Sequence, residues 1–436
     1  MDPSPSRLDL PALPAAPILV GLSGGMDSTV LLHALAADPA ARARGLRAIH
    51  VDHGLHVASL DWAEHCIRAC AELGIELAVR RMRVVGDGCG PEAAARSARL
   101  AAFADELRPG EWLAVAHHQE DQAETLLLRL LRASGGEGLA AMRPTRPFAR
   151  GTLWRPLLEL PRSRLRAYAD AHGLRWIEDP SNAQVVFDRN FLRHRVLPVL
   201  AERWPRAAAS LGRSATLLAG DADLLAEETA RRLAQLQGLD PGVIARGRLQ
   251  AESPAWRARL LRAWIASLGL APLPARSLAA IEADLLPARD DAQACVAWPG
   301  AEVRAWRDGL YADAGRPALP ADWSVTWDGR GALPLPTGHA LSCVDTGGGD
   351  PLPALATLAP LRLSARQGGE RLRLPGRTHT HAVKKLLQAL DVPPWERERL
   401  PLAHAADGEL VAVGDVLTSA RMAGLGARLR VAPLPL

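Results

Sequence analysis

Three groups of residues in this 436-residue chain have the types and spacing to do chemistry. The first is Ser23-Gly24-Gly25-Met26-Asp27-Ser28, which closes the apolar run "ILVGL". Two adjacent glycines let a backbone turn tightly and bring N–H groups against an anion, and a helix starting near Ser28 aims its positive end at the same place. A glycine turn that only caps its helix would use the same residues, but the strand, loop and helix context favours a phosphate cradle. It is not a Walker loop: the Gly-x-x-x-x-Gly-Lys-Ser/Thr spacing is absent and no lysine lies near. The second group is Asp121 and Glu124 in "HHQEDQAET", preceded by His117 and His118. Three residues apart on the first turn of a helix, these carboxylates share a face suited to holding a cation, although the helix dipole alone also favours acids there. The third is Arg189-Asn190 with Arg193, guanidinium groups four apart on a helix and suited to phosphate or a charged intermediate.

The elements that must position these groups are legible between residues 18 and 125, where short β-rich runs alternate with amphipathic stretches: "ILVGL" then "STVLLHALAAD", "LRAIHV" then "LDWAEHCIRACAELG", "IELAVRRMRVV" then "PEAAARSARLAAFADEL", and "EWLAVAHH" then "DQAETLLLRLLRAS". Strands alternating with helical periods predict βαβ units, hence an α/β fold with a doubly wound parallel sheet. Ligands of such sheets sit beyond the carboxyl ends of the strands, where "SGGMDS", "DHGLH" and "AHHQEDQ" all fall. From about residue 198 the period is helical throughout, and short β-like pieces and a Pro/Gly-rich stretch follow further on. The expected division is a catalytic domain over 1–215, a mainly helical domain over 216–316 and a small α+β domain over 317–436.

Composition narrows the class. Net charge is +4, and the basic side chains are arginine except for adjacent Lys384 and Lys385, which read equally as phosphate contacts or as part of a solvated helix face. Five scattered cysteines without a Cys-x-x-Cys predict a reducing compartment and neither a zinc ribbon nor an iron-sulfur cluster. No apolar run is long enough to span a membrane, and "MDPSPSRLDLPALPAAP" is unlike a signal peptide, so the expected location is cytoplasmic.

The loop Ser23 to Ser28 resembles the pyrophosphate-binding loop of the N-type ATP pyrophosphatases, which cleave ATP between its α and β phosphates and adenylate a substrate. Within that superfamily "HVDHGLH", "AHHQEDQAETLLLRLLRASGGEGLAAM", "RPLLELPRSRLRAYA" and "WIEDPSNAQVVFDRNFLRHRVLP" occur in the order seen in the tRNA(Ile)-lysidine synthetase family, and "ARQGGERLRLPG" and "KKLLQALDVPPWERERLPL" resemble its terminal domain. The resemblance implies ATP-dependent ligation of free lysine to C2 of cytidine 34 in the CAU anticodon of tRNA(Ile), through an adenylated cytidine. It implies ATP and magnesium as cofactors, no membrane, and leaves a homodimer open. Ser23, Gly24, Gly25, Met26, Asp27 and Ser28 would hold pyrophosphate, with His50, Asp52, His53 and Gly54 beside the nucleoside. Asp27 and Asp121 would bind magnesium; Asp27, Asp121, Glu124 and Arg193 would carry the chemistry. His117, His118, Arg132, Asp179, Asn182, Arg189, Asn190, Arg366, Arg371, Lys384 and Lys385 would contact tRNA or lysine. The chain departs from the family pattern at Glu120, usually Asp, at Ala133, often Gly, and at His56, commonly Arg. The alternative is another adenylating tRNA-modifying enzyme such as a 2-thiocytidine synthetase, although those generally carry paired cysteines.

Overall fold

The computed structural model describes residues 6–52, 59–82, 91–180, 184–290, 293–345 and 357–433. The run Ile18–Gly21 forms β1, buried over its first three residues. It is joined by β2 (Leu46–Asp52), β3 (Glu76–Arg81), β4 (Trp112–Ala114), β5 (Thr145–Phe148) and β6 (Gly151–Trp154) in the order β3-β2-β1-β4-β6-β5. All neighbours are parallel except the hairpin β5–β6 at one edge, an antiparallel addition within "TRPFARGTLW". Strand order runs outward from β1 through β2 to β3 and then returns to β4 on the other side of β1. The switch point therefore lies between β1 and β4, and the loops leaving these two strands carry the glycine loop and the His-His-x-x-Asp segment.

Alternation along β1 builds a core on each face of the sheet. Ile18 and Val20 pack with Val30, Leu31, Leu35, Cys66, Leu157 and Leu165, whereas Leu19 joins Ile49, Phe103, Leu107, Leu113 and Leu153. One charge enters this layer. Arg47 of β2 is buried and makes a fork to Glu111, with Nε to Oε1 and Nη2 to Oε2 both at 2.8 Å, while Nη1 reaches the carboxylate of Glu106. The fork ties the end of helix Pro91–Glu106 and the entry to β4 to the strand that ends in His50 and Asp52.

Two compact units divide the chain at Glu227/Glu228, inside the long helix Ala207–Leu236, so the boundary expected near residue 215 falls within a continuous helix. The second unit begins with helices packed around fully buried Trp264 and a four-stranded antiparallel sheet of β7 (Val243–Ala245), β8 (Cys295–Trp298), β9 (Ala301–Trp306) and β10 (Gly309–Asp313). The region read as mainly helical thus also carries hairpins, turned at Pro299-Gly300 and Arg307-Asp308. A five-stranded, a three-stranded and a two-stranded antiparallel sheet with short helices complete it, and we propose the further division near residue 316 on that change of architecture.

Removing one partner of a buried ion pair strands the other. Arg47→Ala is expected to cost about 3–5 kcal/mol of stability, read as a lower urea midpoint; wild-type stability would show that the fork holds nothing.

Candidate active site

The chain leaves β1 and turns at Gly24, whose φ of +84° suits a residue without a side chain. A Cβ at Gly24 would lie 2.9 Å from Cδ1 of Ile177 and 3.1 Å from Sγ of Cys66, and the Ile177 N–H donates to the Gly24 carbonyl at 2.9 Å. The glycine is therefore held between two distant segments. Ser28 Oγ accepts from the Ser23 N–H at 3.1 Å and donates to the Gly25 carbonyl at 3.0 Å, which fixes the curl of the loop. Helix Met26–Ala36 starts from Gly25 with no side chain capping it, so its positive end is left for an external anion. Beside the loop, His50 is buried and its Nδ1–H donates to the Leu22 carbonyl at 2.9 Å, with Cys66 Sγ 3.4 Å from the same nitrogen. Asp52 is also buried and lies 3.7 Å from Arg81. His53, Gly54 and His56 lie outside the described residues, as does Asn182.

Helix Gln119–Leu131 follows β4, and the carboxylate of Asp121 reaches back to the His118 N–H at 3.0 Å, an acidic cap of the helix start. His118 is enclosed by three carboxylates: its Nδ1 is 3.0 Å from Glu120, and its Nε2 is 3.5 Å from Asp121 and 3.7 Å from Asp27. Burial opposes charging of this imidazole, but the hydrogen bond to Glu120 and the fields of Asp121 and Asp27 outweigh it and raise its pKa. Its neighbour is the opposite case. Burial, aided by Arg155, Arg189 and Arg96 against the pull of Asp121, lowers the pKa of His117 to about 3, and its Nδ1 accepts from Arg155 Nε at 3.2 Å. Two adjacent histidines thus have their pKa values moved in opposite directions by their surroundings.

Asp121 and Glu124 meet Arg189 and Arg193 in a closed quartet. Arg189 places Nη2 2.8 Å from Asp121 and Nε 2.7 Å from Glu124, and Arg193 places Nη2 2.9 Å from Asp121 and Nε 2.7 Å from Glu124. Glu124 is 0% exposed, so its charge depends on both guanidinium groups. Burial works against the ionised form of Asp121, yet His118, Arg189, His117 and Arg193 hold it well below the usual carboxylate range. The arginines come from helix Asp188–Phe191 and the π-helical turn Leu192–Val196 that continues it.

Other expected residues are more scattered. Arg132 lies 3.6 Å from Asp188, both exposed, and the adjacent Ala133 has φ +53°, the left-handed region that glycine occupies without strain. Asn190 donates to the Gln184 carbonyl, and Asp179 follows Ile177 by two residues. In the second unit, Arg366 lies 3.7 Å from Glu370 and Arg371 binds Thr380 through its hydroxyl and carbonyl. Lys384 and Lys385 are exposed on helix Val383–Ala389 and form no ion pair among the described residues. Arg162 escaped the sequence reading: its N–H donates to Glu120 at 3.0 Å, and its Nε sits 3.5 Å from Asp27.

A PP-loop domain family is matched by residues 8–200, a TilS substrate binding domain by residues 245–311, and a TilS substrate C-terminal domain by residues 361–431. A tRNA(Ile)-lysidine synthase of Xanthomonas campestris pv. campestris is 53% identical over 414 residues, spanning 95% of this chain and 93% of the relative. The chain belongs to the tRNA(Ile)-lysidine synthase family. Relatives bearing the same name in Xylella fastidiosa, strain Temecula1, and Yersinia pseudotuberculosis are 51% and 41% identical, each over 93% of this chain, and 92% and 91% of those relatives are covered. The family resemblance rests on motifs that converge here, since the glycine loop, the His-His segment and Arg189/Arg193 surround one strand-end crevice.

Gly24→Ala is expected to distort the loop and weaken ATP binding about tenfold or more by calorimetric titration; unchanged affinity would show that the close approach is dispensable. For His117 the folded pKa is depressed, so below about pH 6.5 the unfolded chain binds the proton first and stability falls with pH. His117→Gln is expected to flatten that fall between about pH 6.5 and pH 4 in urea unfolding, and an unaltered slope would place the acid sensitivity elsewhere.

Proposed function

We infer that this chain ligates free lysine to C2 of cytidine 34 in the CAU anticodon of tRNA(Ile), consuming ATP. It is a ligase forming a carbon-nitrogen bond, and the product cytidine, lysidine, pairs with A instead of G. Family membership along nearly the whole chain supports this reading, and the observation that carries it chemically is the Asp121, Glu124, Arg189 and Arg193 quartet beside an uncapped phosphate loop.

The reaction needs two displacements. The C2 oxygen of cytidine attacks the α-phosphorus of ATP, forming an O–P bond as the bond to pyrophosphate breaks. The lysine amine, after losing a proton, then attacks C2, and the C2–O bond breaks with AMP as the leaving group. Both steps move charge between highly charged groups, so positioning and neutralisation dominate. The loop Ser23 to Ser28, with the uncapped N–H groups at its helix start, suits the pyrophosphate, and His50 and Asp52 suit the nucleoside side of the crevice. The carboxylates of Asp121 and Glu124 would attract the lysine ammonium, while the guanidinium groups of Arg189 and Arg193 would face the phosphate of the adenylated cytidine.

The donor set fits magnesium at Asp27 better than at Asp121. Asp27 is partly exposed on the first turn beside the phosphate loop, whereas both oxygens of Asp121 are engaged, Oδ1 by two guanidinium groups and Oδ2 by His118. Magnesium commonly takes one or two carboxylates plus substrate phosphates, and it would supply charge neutralisation on the triphosphate. Among the described residues, no group of three or more His, Cys, Asp or Glu side chains is arranged to hold a metal ion by itself.

The thiolation alternative is not favoured. Burial raises the thiol of Cys66 to about 12, with Cys70 adding to the shift, and burial raises Cys70 to about 11, so both stay protonated and withdrawn from solvent. The described residues contain no helix long and apolar enough to cross a membrane, and a cytoplasmic location belongs to the same proposal.

Radiolabelled lysine incubated with ATP, magnesium and purified tRNA is expected to label CAU-bearing tRNA(Ile) and not methionine tRNA. Asp121→Ala is expected to lower incorporation about a hundredfold or more. Absence of label with the wild-type chain, despite tRNA binding and ATP cleavage, would redirect the reading to another adenylating modification.

A further inference from the structure

We propose that Arg162 is the cation that meets the β and γ phosphates of ATP and then the departing pyrophosphate, exchanging its contact with Asp27 for the phosphates when nucleotide binds. This deepens the reading above and rests on it for the identity of the nucleotide. The need for such a residue follows from charge. A triphosphate brings about four negative charges to the crevice, and phosphate loops of the Walker type meet them with a lysine. This chain has only two lysines, Lys384 and Lys385, so within the unit that carries the loop the side-chain cation that joins the backbone N–H groups and magnesium at the phosphates has to be an arginine or a histidine.

The other arginines around the crevice are committed. Arg189 and Arg193 close the quartet with Asp121 and Glu124, and Arg155 is divided between His117 Nδ1 and the Arg143 carbonyl, at 3.2 and 2.6 Å. Arg162 differs in three respects. Its side chain is 48% exposed, and its guanidinium has one contact among the described residues, Nε to Asp27 Oδ1 at the long distance of 3.5 Å. That partner stands in the first turn of the uncapped helix Met26–Ala36, so the guanidinium is already at the edge of the phosphate loop. Its backbone, by contrast, is anchored: the Arg162 N–H donates to Glu120 Oε2 at 3.0 Å, the oxygen that also meets His118 Nδ1 at 3.0 Å. A fixed backbone with two terminal nitrogens unengaged among the described residues is an arrangement ready to form a fork to phosphate oxygens.

Calorimetric titration of the full chain with pyrophosphate, ATP and AMP, each with magnesium, tests this. Arg162→Ala is expected to weaken pyrophosphate and ATP binding about tenfold to a hundredfold while leaving AMP affinity unchanged, which also shows that the variant is folded. Arg162→Lys is expected to recover part of the loss, because a point charge replaces the fork. Pyrophosphate affinity within about twofold of wild type in Arg162→Ala, or a loss that includes AMP equally, would overturn the proposal. So would unchanged pyrophosphate affinity with a raised magnesium requirement for ATP binding, since Arg162 would then act only by placing Asp27. The lysine-labelling reaction of the wild-type chain separates the two levels: failure there removes the reading of the substrate, whereas normal labelling with phosphate-blind Arg162 variants removes this inference alone.

Discussion

A carboxylate with no exposed surface must be paired, and Glu124 imposes that demand on the rest of the site. Its partners are more than sixty positions away, so the chain between helix Gln119–Leu131 and Arg189 has to return to the same crevice before the charge is tolerable. Each arginine spans both carboxylates, which fixes the two guanidinium planes against one face of the helix start. The π-helical turn Leu192–Val196 is where the second of those arginines departs from regular helix geometry, and it sits at the place where a side chain has to be re-aimed.

Around the quartet the charges are graded. His118, its pKa raised by its carboxylate neighbours, stands between Asp27 on the phosphate loop and Asp121 in the quartet, so the two halves of the crevice share one imidazole. His117 stays neutral because burial and arginines suppress its proton, which leaves Nδ1 as an acceptor for Arg155. Glu120, where the family usually has aspartate, spans His118 Nδ1 and the N–H of Arg162, so the longer side chain connects the helix after β4 to the helix Arg162–Ala171. The departure at Ala133 is absorbed differently, by a left-handed alanine at about 1–2 kcal/mol of local strain.

The parallel sheet was legible because apolar runs and amphipathic stretches alternate, and the crevice because glycine, histidine and carboxylate residues cluster at strand ends. The quartet was nominated as two separate pairs, Asp121 with Glu124 and Arg189 with Arg193, from spacing within a helix. Their mutual pairing was not, since periodicity carries no information about partners in distant segments. Arg162 and Ile177 were missed for the same reason: one is an arginine among many, the other an ordinary apolar residue, and each acquires its place only through a contact to the loop. The compact units separate inside the helix Ala207–Leu236, whose Ala/Leu/Arg period shows no break in the sequence where they part. The hairpins β8–β9 and β9–β10 were only half visible, since strands this short leave few alternating residues to read.

The central claim is that the two carboxylates and two arginines act as one unit in lysine transfer. A double-mutant cycle on the rate of lysine incorporation, with Glu124→Gln, Arg193→Gln and the pair together, tests it most directly. The account predicts strong non-additivity, with the double variant no slower than the slower single one. A double variant slower by the product of the two single effects would contradict it, because the residues would then be contributing independently.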